Sequence, residues 1–147
     1  METAALLYAK AGDRDKTELL ADSLLALHDR DMRSFSESRR DRWQEAEHAL
    51  NVAEARALLG DAEAIASMDD LLEVIRQSDW IDYAAHEKTA AAYASIQGDD
   101  AAALRHLERC LRDTKSYCSS ASLRVDPWWA YLRGDPRFEA MLVRYDR

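Results

Sequence analysis

Each of the four glycines in this chain is followed by aspartate, at Gly12, Gly60, Gly98 and Gly134. Glycine readily adopts the left-handed conformation that ends a helix, and aspartate accepts hydrogen bonds from the N–H groups that open the next helix. Each Gly-Asp pair therefore predicts a turn between two helices. Both prolines, Pro127 and Pro136, also follow aspartate, where proline suits the first position of a helix.

The apolar residues after three of the glycines repeat with the period of a helix. After Gly98 the predicted face consists of Ala103, Leu104, Leu107, Cys110 and Leu111. Comparable faces consist of Ala64, Ile65, Met68, Leu71, Leu72 and Ile75 after Gly60, and of Thr17, Leu20, Ala21, Leu24, Leu25 and His28 after Gly12. Alanine and leucine dominate over β-branched residues, which also favours helix over strand. The sequence predicts an all-α fold.

The partner helices are expected before the glycines, over residues 2–11, about 35–59 and about 80–97. Ser34 with Glu37 forms a possible capping box, and Ser78 or Asp79 is a possible cap for the third partner helix. In the long middle helix one face consists of Trp43, Ala46, Leu50, Ala53 and Ala57. Its small residues predict close packing between successive helical hairpins.

These features resemble tetratricopeptide (TPR) repeats, in which pairs of helices stack side by side. The match is clearest over residues 84–111, where Ala91, Gly98, Ala103, Leu107 and Cys110 occupy positions like those of the repeat. Weaker matches involve Ala53, Gly60, Ala64 and Leu71 or Leu72 in a second unit, and Tyr8, Gly12 and Leu24 in a first. The glycines lie 48, 38 and 36 residues apart, whereas the family period is 34. The repeats are therefore degenerate or have extended helices.

The tail, from Asp126 to Phe138, resembles the segment that closes TPR arrays in bacterial multidomain regulators. The resemblance implies an α-α superhelix with three hairpins over residues 1–115, and a loop and C-terminal capping segment over 116–147 of the same domain. It also suggests that the chain is a fragment of a longer protein. An apolar lid is expected from Trp128, Trp129, Leu132, Phe138, Met141, Leu142 and Tyr145. The alternative for these aromatic residues is a ligand-binding pocket.

The net charge of −8 over 147 residues opposes binding to nucleic acid or to an anionic membrane surface. The N-terminal segment lacks the basic region and long apolar run of a signal peptide or anchor, so a cytoplasmic location is expected. Cys110 and Cys118 are too few for a disulfide framework, although one bridge is possible. Whether either cysteine is redox-active is left open.

The candidate catalytic and metal residues favour structural roles. His106 and Cys110 are helical neighbours, but two ligands do not complete a metal site. Cys110 with His86 or His106 lacks a third orienting residue for nucleophilic catalysis. Asp82 with His86, the basic run at Arg39, Arg40 and Arg42, and the Arg133-Gly134-Asp135 tripeptide are interpreted as helix-surface or turn residues, with a phosphate or acidic-peptide contact as the alternative for the basic run. We expect no catalytic residue, cofactor or metal, and no enzymatic activity.

The remaining possibility is that the chain functions by binding a partner on its surface. Stacked hairpins form a concave face that typically binds a peptide. The expected partner-binding positions, from the repeat register, are Lys10, Glu47, Glu54, Lys88, Ala92 and Ser95. The sequence thus predicts a protein-interaction module. The alternative is a ligand-sensing regulatory domain at the C-terminus of a larger bacterial signalling or transcription-regulating protein, and an enclosed pocket rather than an open groove would favour it.

Overall fold

A computed structural model describes residues 2–34, 42–77, 83–113 and 118–146. The regular elements in these ranges are all helical: α1 (Glu2–Ala11), α2 (Arg14–Ser34), α3 (Arg42–Leu58), α4 (Ala62–Gln77), α5 (Tyr83–Ile96), α6 (Asp100–Arg112), α7 (Ser120–Val125), a 3-10 helix (Pro127–Leu132) and α8 (Pro136–Arg144). The predicted all-α class is confirmed. Several residues of interest lie outside the described ranges: Glu37, Arg39, Arg40, Ser78, Asp79 and Asp82.

The turn between α5 and α6 shows how the Gly-Asp pairs work. Gly98 has a φ of 76°, and the N–H of Asp99 donates back to the Ala94 carbonyl at 3.0 Å. The Asp99 carboxylate then accepts from the Ala102 N–H at 2.9 Å. The glycine therefore ends one helix in the left-handed conformation and the aspartate caps the next. The other three glycines also have positive φ, which confirms the predicted turns.

The chain forms two compact units, residues 1–80 and 81–147. In the first unit, α1 packs against α2, α3 packs against α4, and α3 also contacts α1 and α2. One small core between these helices consists of Ala5, Leu24 and Ala55, with Leu20, Leu25 and Leu58 packed around it. On the predicted α3 face, Ala46, Leu50, Ala53 and Ala57 are all buried.

The second unit contains the third hairpin and the tail. Its best-packed pair is α5 with α6, and the TPR-like positions Ala91, Ala103, Leu107 and Cys110 are all buried. From the tail, α8 contacts α6 and α7. The third hairpin, α5 with α6, thus lies in one compact unit with the tail. The grouping of all three hairpins in one domain stays a prediction.

Candidate functional site

A cleft of about 520 Å³ opens between α3 and α4 in the first unit. Its exposed lining is mostly apolar, and the cleft is open rather than enclosed. The lining residues are His48, Ala49, Val52, Ala53 and Arg56 from α3, Asp61 from the turn, and Glu63, Ala64, Ser67 and Leu71 from α4. Because three of these side chains are alanine methyl groups, the two helices leave a furrow between them that larger side chains would fill.

Some polar residues on the rim of the cleft make hydrogen bonds within the described fold, and others do not. Asp61 caps α4, because its carboxylate accepts from the N–H groups of Glu63 at 3.0 Å and Ala64 at 3.2 Å. The Ser67 hydroxyl donates to the Ala64 carbonyl at 2.7 Å. Arg56 and Glu63 are exposed, and their side chains have no hydrogen bond or ion pair within the described part of the chain. Among the described residues, the fold therefore uses neither this guanidinium nor this carboxylate.

His48 connects the cleft to the contact between α2 and α3. Its ring lies 6.2 Å, centroid to centroid, from the ring of His28 on α2, with the two planes at 78°. Both imidazoles are partly buried. One edge of the cleft is thus formed by the His48 ring, which also contacts His28 on α2.

None of the first three predicted partner-binding residues lines the cleft. Lys10 on α1 is exposed, Glu47 on α3 is partly buried, and Glu54 is only 3% exposed. The sequence analysis did not predict that Ala49, Ala53 and Ala64 line one cleft. The available signal was the pairing of small residues on two facing helices, since only that pairing leaves a furrow.

The other three predicted partner-binding residues lie on α5, and two of them contact the tail. Lys88 Nζ is 2.8 Å from Asp126 Oδ2, and the Ser95 hydroxyl accepts from the Trp128 indole N–H at 3.2 Å. Ala92 is 6% exposed. The structure therefore pairs Lys88 and Ser95 with residues of the same chain, although the Lys88 side chain is still 42% exposed.

The predicted aromatic lid is largely buried in the second unit. Its buried members are Trp129, Leu132, Phe138, Met141 and Leu142, while Trp128 and Tyr145 remain partly exposed. The Tyr145 hydroxyl accepts from Arg112 at 3.0 Å and donates to Glu108 at 3.2 Å. These side chains therefore form part of the core of the second unit, and the role of the tail as a cap on the third hairpin stays a prediction. Within the Arg-Gly-Asp tripeptide, Asp135 caps α8.

A buried hydrogen bond between Glu87 and His106 links α5 and α6. Glu87 is fully buried, and its Oε2 lies 2.7 Å from His106 Nδ1. Arg109 Nη1 approaches the other carboxylate oxygen at 3.9 Å. Sequence reasoning missed Glu87, although its position between Ala84 and Ala91 on the buried face of α5 was a usable signal. The carboxylate supplies the partner that a buried imidazole requires.

Cys110 and Cys118 form a disulfide, with their Cα atoms 5.9 Å apart. The bridge left open by the sequence is therefore present, and it occupies the sulfur that could have joined His106 as a metal ligand. In the ranges that the structure describes, no group of three or more His, Cys, Asp or Glu residues could hold a metal ion.

Comparison with known proteins gives no match to a protein family, to a curated protein or to a solved structure. Of the helices described here, none combines the length and the apolar character needed to cross a bilayer.

Proposed function

We propose that this chain is a non-catalytic interaction module of TPR-like helical hairpins that binds a polypeptide segment in the α3/α4 cleft. The observation that carries the proposal is the open, mainly apolar cleft whose rim offers an arginine and a glutamate. The contact surface is placed here rather than on α5, because Lys88 and Ser95 on α5 already pair with Asp126 and Trp128 of the tail, and Ala92 is buried.

The dimensions of the cleft suit a short extended segment. From His48 to Arg56 the lining covers eight residue steps of α3, which is about 12 Å at the helical rise of about 1.5 Å per residue. An extended chain advances about 3.3 Å per residue, so roughly four residues fit along the cleft. Val52 and Leu71 supply apolar contact for one anchoring side chain of such a segment.

The rim predicts the chemistry of the ligand. Arg56 forms bidentate hydrogen bonds most readily with a carboxylate, and Glu63 attracts a basic side chain or an N-terminal amine. The favoured ligand is therefore a segment with an aliphatic or aromatic anchor flanked by an acidic residue on the Arg56 side. A ligand-sensing role for the chain is less well supported, because a small molecule usually binds in a pocket that encloses most of its surface.

Selection from a displayed library of random peptides tests this proposal. We expect the enriched peptides to share an apolar anchor next to an acidic residue, and to lose at least tenfold in affinity to Arg56→Glu, about 1.4 kcal/mol or more. Val52→Glu should have a similar effect, because it places a charge in the apolar part of the cleft. Arg105→Glu is the matched control, since Arg105 is exposed on α6.

Three results would count against the proposal. They are the absence of enriched peptides, equal binding by Arg56→Glu and the wild type, and an equal loss of binding in the Arg105→Glu control. A metabolite library screened by thermal shift tests the sensor alternative, because a ligand that binds the folded chain raises its melting temperature. A hit whose effect disappears in Val52→Glu would favour the sensor.

A further inference from the structure

We propose that Cys110 and Cys118 form a reversible dithiol–disulfide site that exchanges with a small-molecule thiol, and that Cys118 is the sulfur attacked. This inference is independent of the peptide-binding proposal, because both cysteines lie in the second unit and the cleft lies in the first. Three features support it: the unequal exposure of the two cysteine residues, a hydrogen-bond acceptor beside the Cys110 sulfur, and contacts other than the disulfide that hold the tail.

The two cysteines differ in access. Cys110 lies in the last turns of α6 and is 1% exposed, whereas Cys118 is partly exposed just before α7. Thiol–disulfide exchange requires an approach to one sulfur along the S–S axis, and access decides which sulfur is attacked. A thiolate from solution therefore reaches Cys118 first, and Cys110 is the leaving group.

The same fold can accommodate the reduced Cys110 thiol, because a hydrogen-bond acceptor lies beside its sulfur. Cys110 Sγ lies 3.2 Å from the carbonyl oxygen of Ala84. In the disulfide the sulfur carries no proton, so this contact gains no hydrogen bond. After reduction, the Cys110 S–H donates to that oxygen, which compensates in part for the lost bridge and keeps the thiol in position to close again.

The tail does not depend on the disulfide alone. Asp126 pairs with Lys88, the Trp128 indole donates to Ser95, and Ser120 Oγ donates to Asp146 at 3.0 Å. Trp129 and Phe138 remain in the core. Reduction should therefore release the start of α7, which Ser119 caps next to Cys118, without unfolding the rest of the tail.

Reduced and oxidised glutathione can supply and accept the electrons and protons that the exchange requires. In reduction, a glutathione thiolate attacks Cys118 Sγ, forms a mixed disulfide and expels the Cys110 thiolate, which takes a proton. A second glutathione thiolate then attacks the glutathione sulfur of the mixed disulfide, which gives oxidised glutathione and releases the Cys118 thiolate, and this thiolate takes the second proton. Two electrons and two protons pass to the protein. Oxidation is the reverse, with Cys118 attacking oxidised glutathione and Cys110 resolving the mixed disulfide.

Equilibration of the purified chain with mixtures of reduced and oxidised glutathione tests the site. Thiols are trapped with a maleimide mass tag, and the folded state is followed by circular dichroism. We expect a single reversible transition from no tags to two tags with the helical signal retained. Hydrogen exchange should speed up in residues 119–125 and stay unchanged in 128–144. A bridge that opens only in denaturant, or a reduced protein that loses its helical signal, would overturn the proposal.

Single-cysteine variants test the order of attack. In Cys110→Ser the remaining thiol should accept glutathione from its disulfide form about tenfold or more faster than in Cys118→Ser, because exposure controls thiol reactivity. Equal rates in the two folded variants would contradict the assignment. If either variant fails to fold, peptide mapping of partly labelled, reduced wild-type protein gives the same comparison, with Cys118 expected to be tagged first.

Discussion

At the scale of single residues, the helical period identified core positions better than it identified polar partners. Ala103, Leu107 and Cys110 are buried as their spacing predicts. The contact of Glu87 with His106, however, joins residues 19 apart in sequence, and a repeat pattern on one helix does not determine which side chain faces it from another. Polar partners of this kind depend on the register between two helices, which becomes visible only once they are packed.

Removing Glu87 should destabilise the second unit. Glu87→Ala takes the carboxylate away from the buried His106 ring, and the loss of a partner to a buried polar group typically costs about 1–3 kcal/mol. The free energy of unfolding in urea measures this loss. Glu63→Ala is the control, because that carboxylate is exposed and unused by the fold, so a change within about 0.5 kcal/mol is expected. Equal stability of the two variants would show that the pair adds little.

Asp135 should titrate well below an ordinary aspartate. The Arg137 guanidinium, hydrogen-bonded at 2.7 Å, and the Arg137 N–H lower the pKa of the Asp135 carboxyl from 3.8 to about 2. Because the folded pKa lies below the unfolded value, the stabilisation is complete above about pH 4 and is lost as the pH falls towards 2. A side-chain NMR titration measures this pKa. In Arg137→Ala it should rise towards 3.8, and an unchanged value would refute the assigned cause.

At the scale of elements, the turn chemistry could be predicted from sequence because it is local. The glycine ends one helix in the left-handed conformation, and the aspartate after it caps the next helix, so two adjacent residues determine the turn. The capping of α7 is less apparent. There Ser119 and Ser122 form a reciprocal capping box, in which serine takes the place of the usual glutamate or glutamine.

Gly98→Ala should destabilise the α5–α6 hairpin through backbone strain alone. A Cβ at Gly98 meets no atom within 4 Å, but φ is +76°, and a left-handed conformation costs an L-residue about 1–2 kcal/mol. Gly98→Asn should cost less, because asparagine tolerates this conformation better. Thermal or urea unfolding measures both variants. A larger loss for asparagine than for alanine would contradict the role of the left-handed turn.

The disulfide should stabilise the second unit modestly. It closes a loop with a sequence separation of eight residues, and the chain-entropy relation gives about 2.5 kcal/mol for so short a loop. The difference in unfolding free energy between oxidised and reduced protein measures this directly. A difference above about 5 kcal/mol, beyond the usual range, would indicate that the tail depends on the bridge, contrary to the contacts described above.

At the scale of the whole molecule, the sequence predicted helical hairpins but not which surface stays open. The repeat register assigned three of the six predicted partner-binding positions to α5, where Lys88 contacts Asp126 and Ser95 contacts Trp128 of the tail. Sequence periodicity cannot predict this arrangement, because it depends on how a segment about thirty residues later packs back. The cleft between α3 and α4 likewise depends on alanines from two helices. We therefore place the proposed interaction in the first unit.

The most direct test of this account is an NMR titration of the isotopically labelled chain with a peptide from the displayed library. We predict that backbone shifts change mainly over residues 48–56 and 61–71, and that these changes disappear in Arg56→Glu. Shift changes confined to residues 83–146, or identical changes in the wild type and Arg56→Glu, would contradict the proposal that the α3/α4 cleft is the binding site.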